Sequence, residues 1–401
     1  MGAISPVGNT VDDLWSNLVA GISGIGPITK FDTTDFKVNI AAEVKNFDVS
    51  DLMERADIRH SDIFVQYAIA AAVQAMNDSG VADYIEPERL GVYIGSGIGG
   101  IDTFVSQTKA MFEKGPGRVS PFFIPMIIGN MASGMVAMRY NAMGPCLPLV
   151  SACATSTHAV GEAYLAIKHG LADAIITGGS EGAVGPMAVA GFSNSMALSM
   201  KNDPAQSSIP FDKRRDGFVI GEGAGVLILE EYEHAKKRGA TIYAEVSGYG
   251  NTCDAYHMTQ PHPDALGGTR AIKLAYEQMG SPAGEKVYIN AHGTGTPIND
   301  KIETLAIKGA LGDEAQKAKV SSTKSMTGHM LGAAGAIEAI ASIMAIHTGD
   351  IPPTIGYEEP DPECDLNLVV NKSEHLSPEY ALSISLGFGG HNACVAFKKE
   401  G

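Results

Sequence analysis

A chain of 401 residues with 45% hydrophobic and 18% charged residues can hold two or three packed units and has a globular composition, which excludes a disordered or fibrous protein. Acidic residues outnumber basic ones by 45 to 29, a net charge of −16, so the surface as a whole repels nucleic acid and anionic lipid. The five cysteines (Cys146, Cys153, Cys253, Cys364 and Cys394) show neither CxxC nor His-pair spacing, which argues against a disulfide framework and a metal site and for a reducing compartment.

No basic-then-apolar leader opens the chain and no run of about 18 apolar residues interrupts it, so the expected location is the cytoplasm, away from any membrane. Short β-rich segments alternate with amphipathic or Ala-rich stretches throughout, which predicts an α/β fold. In chain order, strands are expected at 90–95, 148–152, 174–177, 225–230, 242–248, 287–291, 320–323 and 382–386. Helices are expected at 61–77, 155–168, 269–278 and 333–346.

The two halves repeat one another faintly. GVYIGSGIGG (91–100), LPLVSACATSTHAVGEAYLAI (147–167) and EGAGVLILEE (222–231) match VYINAHGTGT (287–296), AKVSSTKSMTGHMLGAAGAIEAI (318–340) and HNACVAFKKE (391–400) in order, type and approximate spacing. The boundary falls near residue 240, after EEYEHAKKRGA, giving halves 1–240 and 241–401. A site between such halves draws on corresponding strand ends, where ligands of open α/β sheets collect.

Four segments carry chemistry. Cys153 follows an apolar stretch and precedes a helix in VSACATSTHAV, where a helix N-terminus favours thiolate and small neighbours leave room for an electrophile. A small buried core cysteine would fit the same context. NAHGTGTPIND (290–300) delivers His292 into a Gly/Thr turn, with Thr294 and Thr296 offering hydroxyls to an amide-bearing arm; Thr296 also fits a helix cap before Pro297. SSTKSMTGHMLGAAGAIEAI (321–340) sets Lys324 and His329 ahead of a helix of very small residues. SISLGFGGHNACVAF (383–397) runs a strand into a turn whose N–H groups suit an oxyanion, with Phe388 free to swing between Gly387 and Gly389. Taken singly, each also fits a structural part.

Together, the reactive cysteine, HGTGT, KSMTGH with GAAGAIE, and GFGGHNA resemble the β-ketoacyl-[acyl carrier protein] synthases of the thiolase superfamily. SPVGNT, SGIGG (96–100), SPFFIP (120–125) and FDKRRDGFVIGEGAG (211–225) extend the resemblance over nearly the whole chain. Two histidines with the cysteine resemble the elongating types I and II, and the DAYHMT and KSMTGHMLGAAG wording is closest to type II. The resemblance implies a thiolase-like layered αβαβα fold with pseudo-twofold halves. It makes Cys153 the acyl acceptor, with Phe388 and Cys153 N–H groups on the thioester oxygen, His292 and His329 on the malonyl thioester, and Lys324 fixing His329 and supplying positive potential. Glu338 is expected to be structural or to support these residues.

It further implies Thr294 and Thr296 on pantetheine, Ile98 and Phe192 along an acyl tunnel, and Gly387 at the gate. The implied partners are acyl carrier protein and a second copy of the chain, and no cofactor is required. Carrier docking falls to Lys114, Arg118 and Lys201, with Arg55 and Arg59 as weaker choices. A polyketide ketosynthase, a thiolase and a non-catalytic scaffold are the alternatives. One departure stands out: the family opens with a strand of the type RVVVTG before the SPVGNT loop, and Met1–Gly2 here stand directly before that loop. Loss of such a strand is expected to leave ladder groups unpaired and an apolar groove open.

Overall fold

Leu90–Gly95 and Ala174–Glu181 are buried along their whole lengths, as continuous apolar runs in parallel sheets are, and the computed structural model, which describes residues 1–401, pairs them in parallel. Gly223–Glu230 continues this first sheet antiparallel to Ala174–Glu181, and Gly2–Ile4 adds an antiparallel edge. The second sheet repeats the scheme with Glu245–Cys253, His391–Lys398, Tyr380–Gly387, Val287–Asn290 and Lys319–Ser321. Its first two pairings are antiparallel and its last two parallel, so its first four strands match the four of the first sheet in order and direction, and Lys319–Ser321 is an additional fifth.

Two helices lie between the sheets, Thr155–Lys168 from the first half and Ala334–Thr348 from the second. Small residues allow this: a Cβ on Gly335 would come within 2.0 Å of Thr157 Oγ1, and one on Gly161 within 2.1 Å of the Tyr249 ring. Ile63–Ser79 and Met131–Tyr140 cover the outside of the first sheet, and Leu266–Gln278 with Pro297–Leu311 cover the second. The result is the layered αβαβα arrangement with pseudo-twofold halves. Leu331–Thr348 has the length and mean hydropathy of a bilayer span, contrary to the expectation that no such run exists, but 89% of it is buried as the central core helix.

Most expected elements are present with their ends moved by no more than three residues, and three differ by more. Residues 148–152 are not a strand. Val92 exchanges backbone bonds with Pro145 and Leu147 only, Pro148 has no N–H to offer, and the Ser151 N–H turns to Thr155 Oγ1 instead. The strand expected at 242–248 runs from Glu245 to Cys253, and the one expected at 174–177 extends to Glu181.

The N-terminal edge is short. Gly2–Ile4 pairs with Ala224–Val226, and a Cβ on Gly2 would sit 2.0 Å from the Ala71 carbonyl, so backbone packs directly on helix Ile63–Ser79. Beyond Val226 that side of the strand has no partner, whereas the equivalent strand Glu245–Cys253 pairs along all of His391–Lys398. A groove of about 370 Å³, lined by Leu227, Leu229, Ile242, Val246, Ile343 and Phe397 among others, follows the open edge. Gly2–Ile4 supplies strand residues at this edge.

Candidate active site

The four segments named above meet at the interface of the halves. Cys153 lies on the short turn Ala152–Ala154, directly before helix Thr155–Lys168, with Ala152 held at φ +51°. A non-glycine residue in that region stores strain that the surroundings must hold, as sharp turns bearing a nucleophile do. Cys153 Sγ is 2.9 Å from His329 Nε2, and the His292 ring stands 5.3 Å from the His329 ring at 86°.

Each histidine is fixed by its backbone. The His329 N–H donates to the Val219 carbonyl at 2.7 Å and its carbonyl accepts from Gly221, which splices it onto a neighbouring extended segment. The N–H groups of His292 and Gly293 donate to the buried Glu303 carboxyl at 2.5 and 2.7 Å. Burial first, and the Lys324 charge second, push both imidazoles well below the usual histidine range, so both are neutral at physiological pH.

The cysteine departs from expectation. Removing the sulfur from water pushes the Cys153 thiol up to about 12, outweighing Lys324 and the N–H groups of Phe388 and Cys153 itself, which favour the charged form. Burial thus opposes the thiolate that a helix N-terminus favours. The resting pair is a neutral thiol beside a neutral imidazole, and attack requires the proton to move to His329.

Those two N–H groups reach the sulfur because strand Tyr380–Gly387 ends against the nucleophile turn. A Cβ on Gly387 would lie 2.8 Å from the Ser151 carbonyl oxygen and 3.4 Å from the Cys153 nitrogen, so only glycine permits this approach. Phe388 follows, partly exposed, ahead of Gly389 and Gly390 at φ +84° and +75°.

Lys324 is fully buried and pairs with Glu338 across the start of the central helix. It acts on both imidazoles through its charge, its hydrogen bond goes to Glu338 and not to His329, and Glu338 is its support. Thr294 and Thr296 join hydroxyls at 3.0 Å. Thr296 does stand at the N-cap with Pro297 first in the helix, but its side chain caps nothing. Asp300 takes the Gly295 N–H instead, while Thr294 is buried and Thr296 half-buried.

Ile98 is exposed on the SGIGG turn, and Phe192 packs edge-on to Phe218 at 5.5 Å, which in turn packs edge-on to His329 at 5.0 Å. Phe218 and the buried acids Glu303 and Glu181 are absent from the expected set. An acid at the carboxyl end of an apolar strand, as in AIITGGSE, was the available signal for Glu181. Among the docking choices, Lys114, Arg118, Arg55 and Arg59 are exposed. Lys201 is half-buried and donates to the Gln206 and Arg214 carbonyls, so its own loop occupies it.

The Cys153, His292 and His329 ligand atoms fall within 4.8 Å of one another, near enough to hold a soft cation. Neither imidazole Nδ1 has a hydrogen-bond partner, although metal-binding histidines ordinarily carry one there. The donor set therefore fits a thiol–imidazole nucleophile better than a resident metal.

Residues 1–235 match the family model of the β-ketoacyl synthase N-terminal domain and residues 243–358 that of its C-terminal domain. The chain belongs to the β-ketoacyl synthase family. This synthase is 51% identical over 401 residues to the 3-oxoacyl-[acyl-carrier-protein] synthase 2 of Synechocystis, covering all of this chain and 96% of that one. It is 50% identical to the enzyme of the same name from Staphylococcus aureus strain COL, covering 100% and 97%. Among solved structures, a type II polyketide ketosynthase bound to its hexaketide and in complex with its acyl-carrier protein superposes with a TM-score of 0.89. It is 34% identical, and the match covers 100% of this chain and 98% of that one.

Proposed function

We propose that this synthase condenses an acyl group with a malonyl unit, both delivered on acyl carrier protein, in the elongation of fatty acids. Cys153 Sγ attacks the acyl thioester as its proton passes to His329 Nε2, while the carbonyl oxygen takes hydrogen bonds from the N–H groups of Cys153 and Phe388. One such donor is worth roughly 3 kcal/mol in a transition state. The carrier thiolate leaves and takes that proton, which gives acyl-Cys153. Malonyl carrier protein then loses CO2, and the electrons of the broken C–C bond form an enolate whose oxygen faces His292 and His329. The enolate carbon attacks acyl-Cys153, Cys153 leaves as thiolate and takes a proton from water, and a β-ketoacyl product two carbons longer departs. Every electron pair comes from the substrates, so no cofactor enters.

The 2.9 Å contact of Cys153 Sγ with His329 Nε2, beside a second neutral imidazole, carries this reading. An elongation assay across acyl lengths tests it. Cys153→Ala is expected to lose condensation and retain decarboxylation of the malonyl substrate; retained elongation would remove Cys153 from the mechanism. Offering the carrier proteins of both pathways separates fatty acid from polyketide work.

In the same reading, Thr294 and Thr296 bind the pantetheine amides, Ile98 and Phe192 line the acyl tunnel, and Gly387 with Phe388 gates it. Lys114 and Arg118 meet the acidic carrier, with Lys201 behind them. The halves divide near residue 240. A second copy covers the exposed Met138, Met143, Leu147 and Val150 at the open end of the first sheet. Leu147→Asp combined with Val150→Asp should yield a monomer by light scattering, and an unchanged mass would move the dimer contact elsewhere. All five cysteines are unpaired, which supports a cytoplasmic location.

A further inference from the structure

We propose that Glu181 is a positioning residue that ties the acyl-tunnel turn to the turn following His329, so that chain-length choice and the Cys153–His329 geometry are set together. This deepens the proposed condensation and rests on it. Glu181 ends the central strand Ala174–Glu181 and is completely buried. Its Oε1 accepts from Ser96 Oγ at 2.9 Å and the Ile98 N–H at 3.2 Å; its Oε2 accepts from the Gly97 N–H at 2.8 Å and the Gly332 N–H at 3.0 Å. Four neutral donors from two turns therefore converge on one carboxyl group.

The glycines show how close the approach is. A Cβ on Gly97 would meet Glu181 Oε2 at 2.7 Å, and one on Gly332 would meet that oxygen at 2.8 Å and the Gly97 nitrogen at 2.3 Å. The same Cβ on Gly97 would lie 3.5 Å from the carbonyl oxygen of Ala152, the residue before the nucleophile. The tunnel turn, the nucleophile turn and the turn three residues past His329 thus touch at a single point. The second half has a counterpart, since Glu303 holds His292 and Gly293, which follow the strand equivalent to Leu90–Gly95.

An ionised carboxylate can accept from all four donors, whereas a protonated acid or an amide must turn one donor of its own towards them and leave one unsatisfied. Ile98 loses its anchor when that happens. Burial raises Glu181 to about 6, so the exchange falls near neutrality. The SGIGG turn and residues 331–333 carry no titratable side chain. The titratable group that acts on Glu181 from the nucleophile turn is Cys153, which burial pushes up to about 12, well away from this exchange.

The test compares kcat/KM for short and long acyl carrier substrates, and its pH profile, in wild type, Glu181→Gln and Ser96→Ala. Glu181→Gln is expected to compress the short-to-long ratio at least tenfold and to abolish the acid limb near pH 6, while Cys153 is still acylated by mass spectrometry. Ser96→Ala removes one donor and keeps the charge. It should shift the ratio in the same direction by less and retain the limb, which keeps the proposal testable should Glu181→Gln fail to fold. A wild-type ratio and acid limb in Glu181→Gln, or an unchanged ratio in Ser96→Ala, would overturn the coupling. Wild type that elongates nothing would remove the condensation itself and this inference with it.

Discussion

Cys153 and His329 are 176 residues apart in the chain and 2.9 Å apart in space. Cys153 lies on the turn before helix Thr155–Lys168 and His329 on the segment before helix Ala334–Thr348, so the pseudo-twofold that relates the halves brings the thiol and this imidazole face to face. The contact is made between neutral groups, and that has measurable consequences.

A thiol raised from 9.0 to about 12 contributes stability that is fully present below pH 9 and is lost as pH rises towards 12. Alkylation of the free protein by iodoacetamide should accordingly climb with pH from about 6 to about 9 with no plateau, since only the thiolate reacts. Cys153→Ala should gain stability relative to wild type above pH 9. An inflection in the alkylation rate below pH 8 would show a resting thiolate and remove the proton transfer to His329 from the first step.

The buried Lys324–Glu338 pair separates stability from catalysis. Lys324→Met leaves an unpaired buried acid and is expected to cost about 3 kcal/mol, in the range for breaking such pairs. Joining it with Glu338→Leu should recover most of that loss by denaturant titration and none of the condensation rate. A double variant as unstable as the single one would mean the pair is not an isolated unit.

Gly387→Ala places a methyl group 2.8 Å from the Ser151 carbonyl and must push the gate strand off the nucleophile turn. Displacing one oxyanion donor lowers kcat by about a hundredfold or more, with KM for the carrier substrates little changed. A KM effect with normal kcat would assign Gly387 to substrate binding instead.

That the Cys153 sulfur and the His292 and His329 imidazoles meet was legible because each sits in a short stretch whose glycines or small residues have few structural explanations once seen together. The strand framework was legible where apolar runs were unbroken, as at Leu90–Gly95. It failed at 148–152, where Pro148 and the demands of the Cys153 turn override β-propensity. The upward shift of the Cys153 thiol is not legible in the sequence, because local sequence reveals the helix behind the sulfur and not the burial around it. Glu181 and Glu303 escaped notice for a related reason: their partners are backbone N–H groups, which every residue has and no motif displays.

Gly161 and Gly335 let the central helices close on their neighbours without a gap, since a methyl group at either would overlap the Tyr249 ring or the Thr157 hydroxyl. The seam between the halves therefore has no give, and a wedge at either position would spoil the alignment of sulfur and imidazole from a distance.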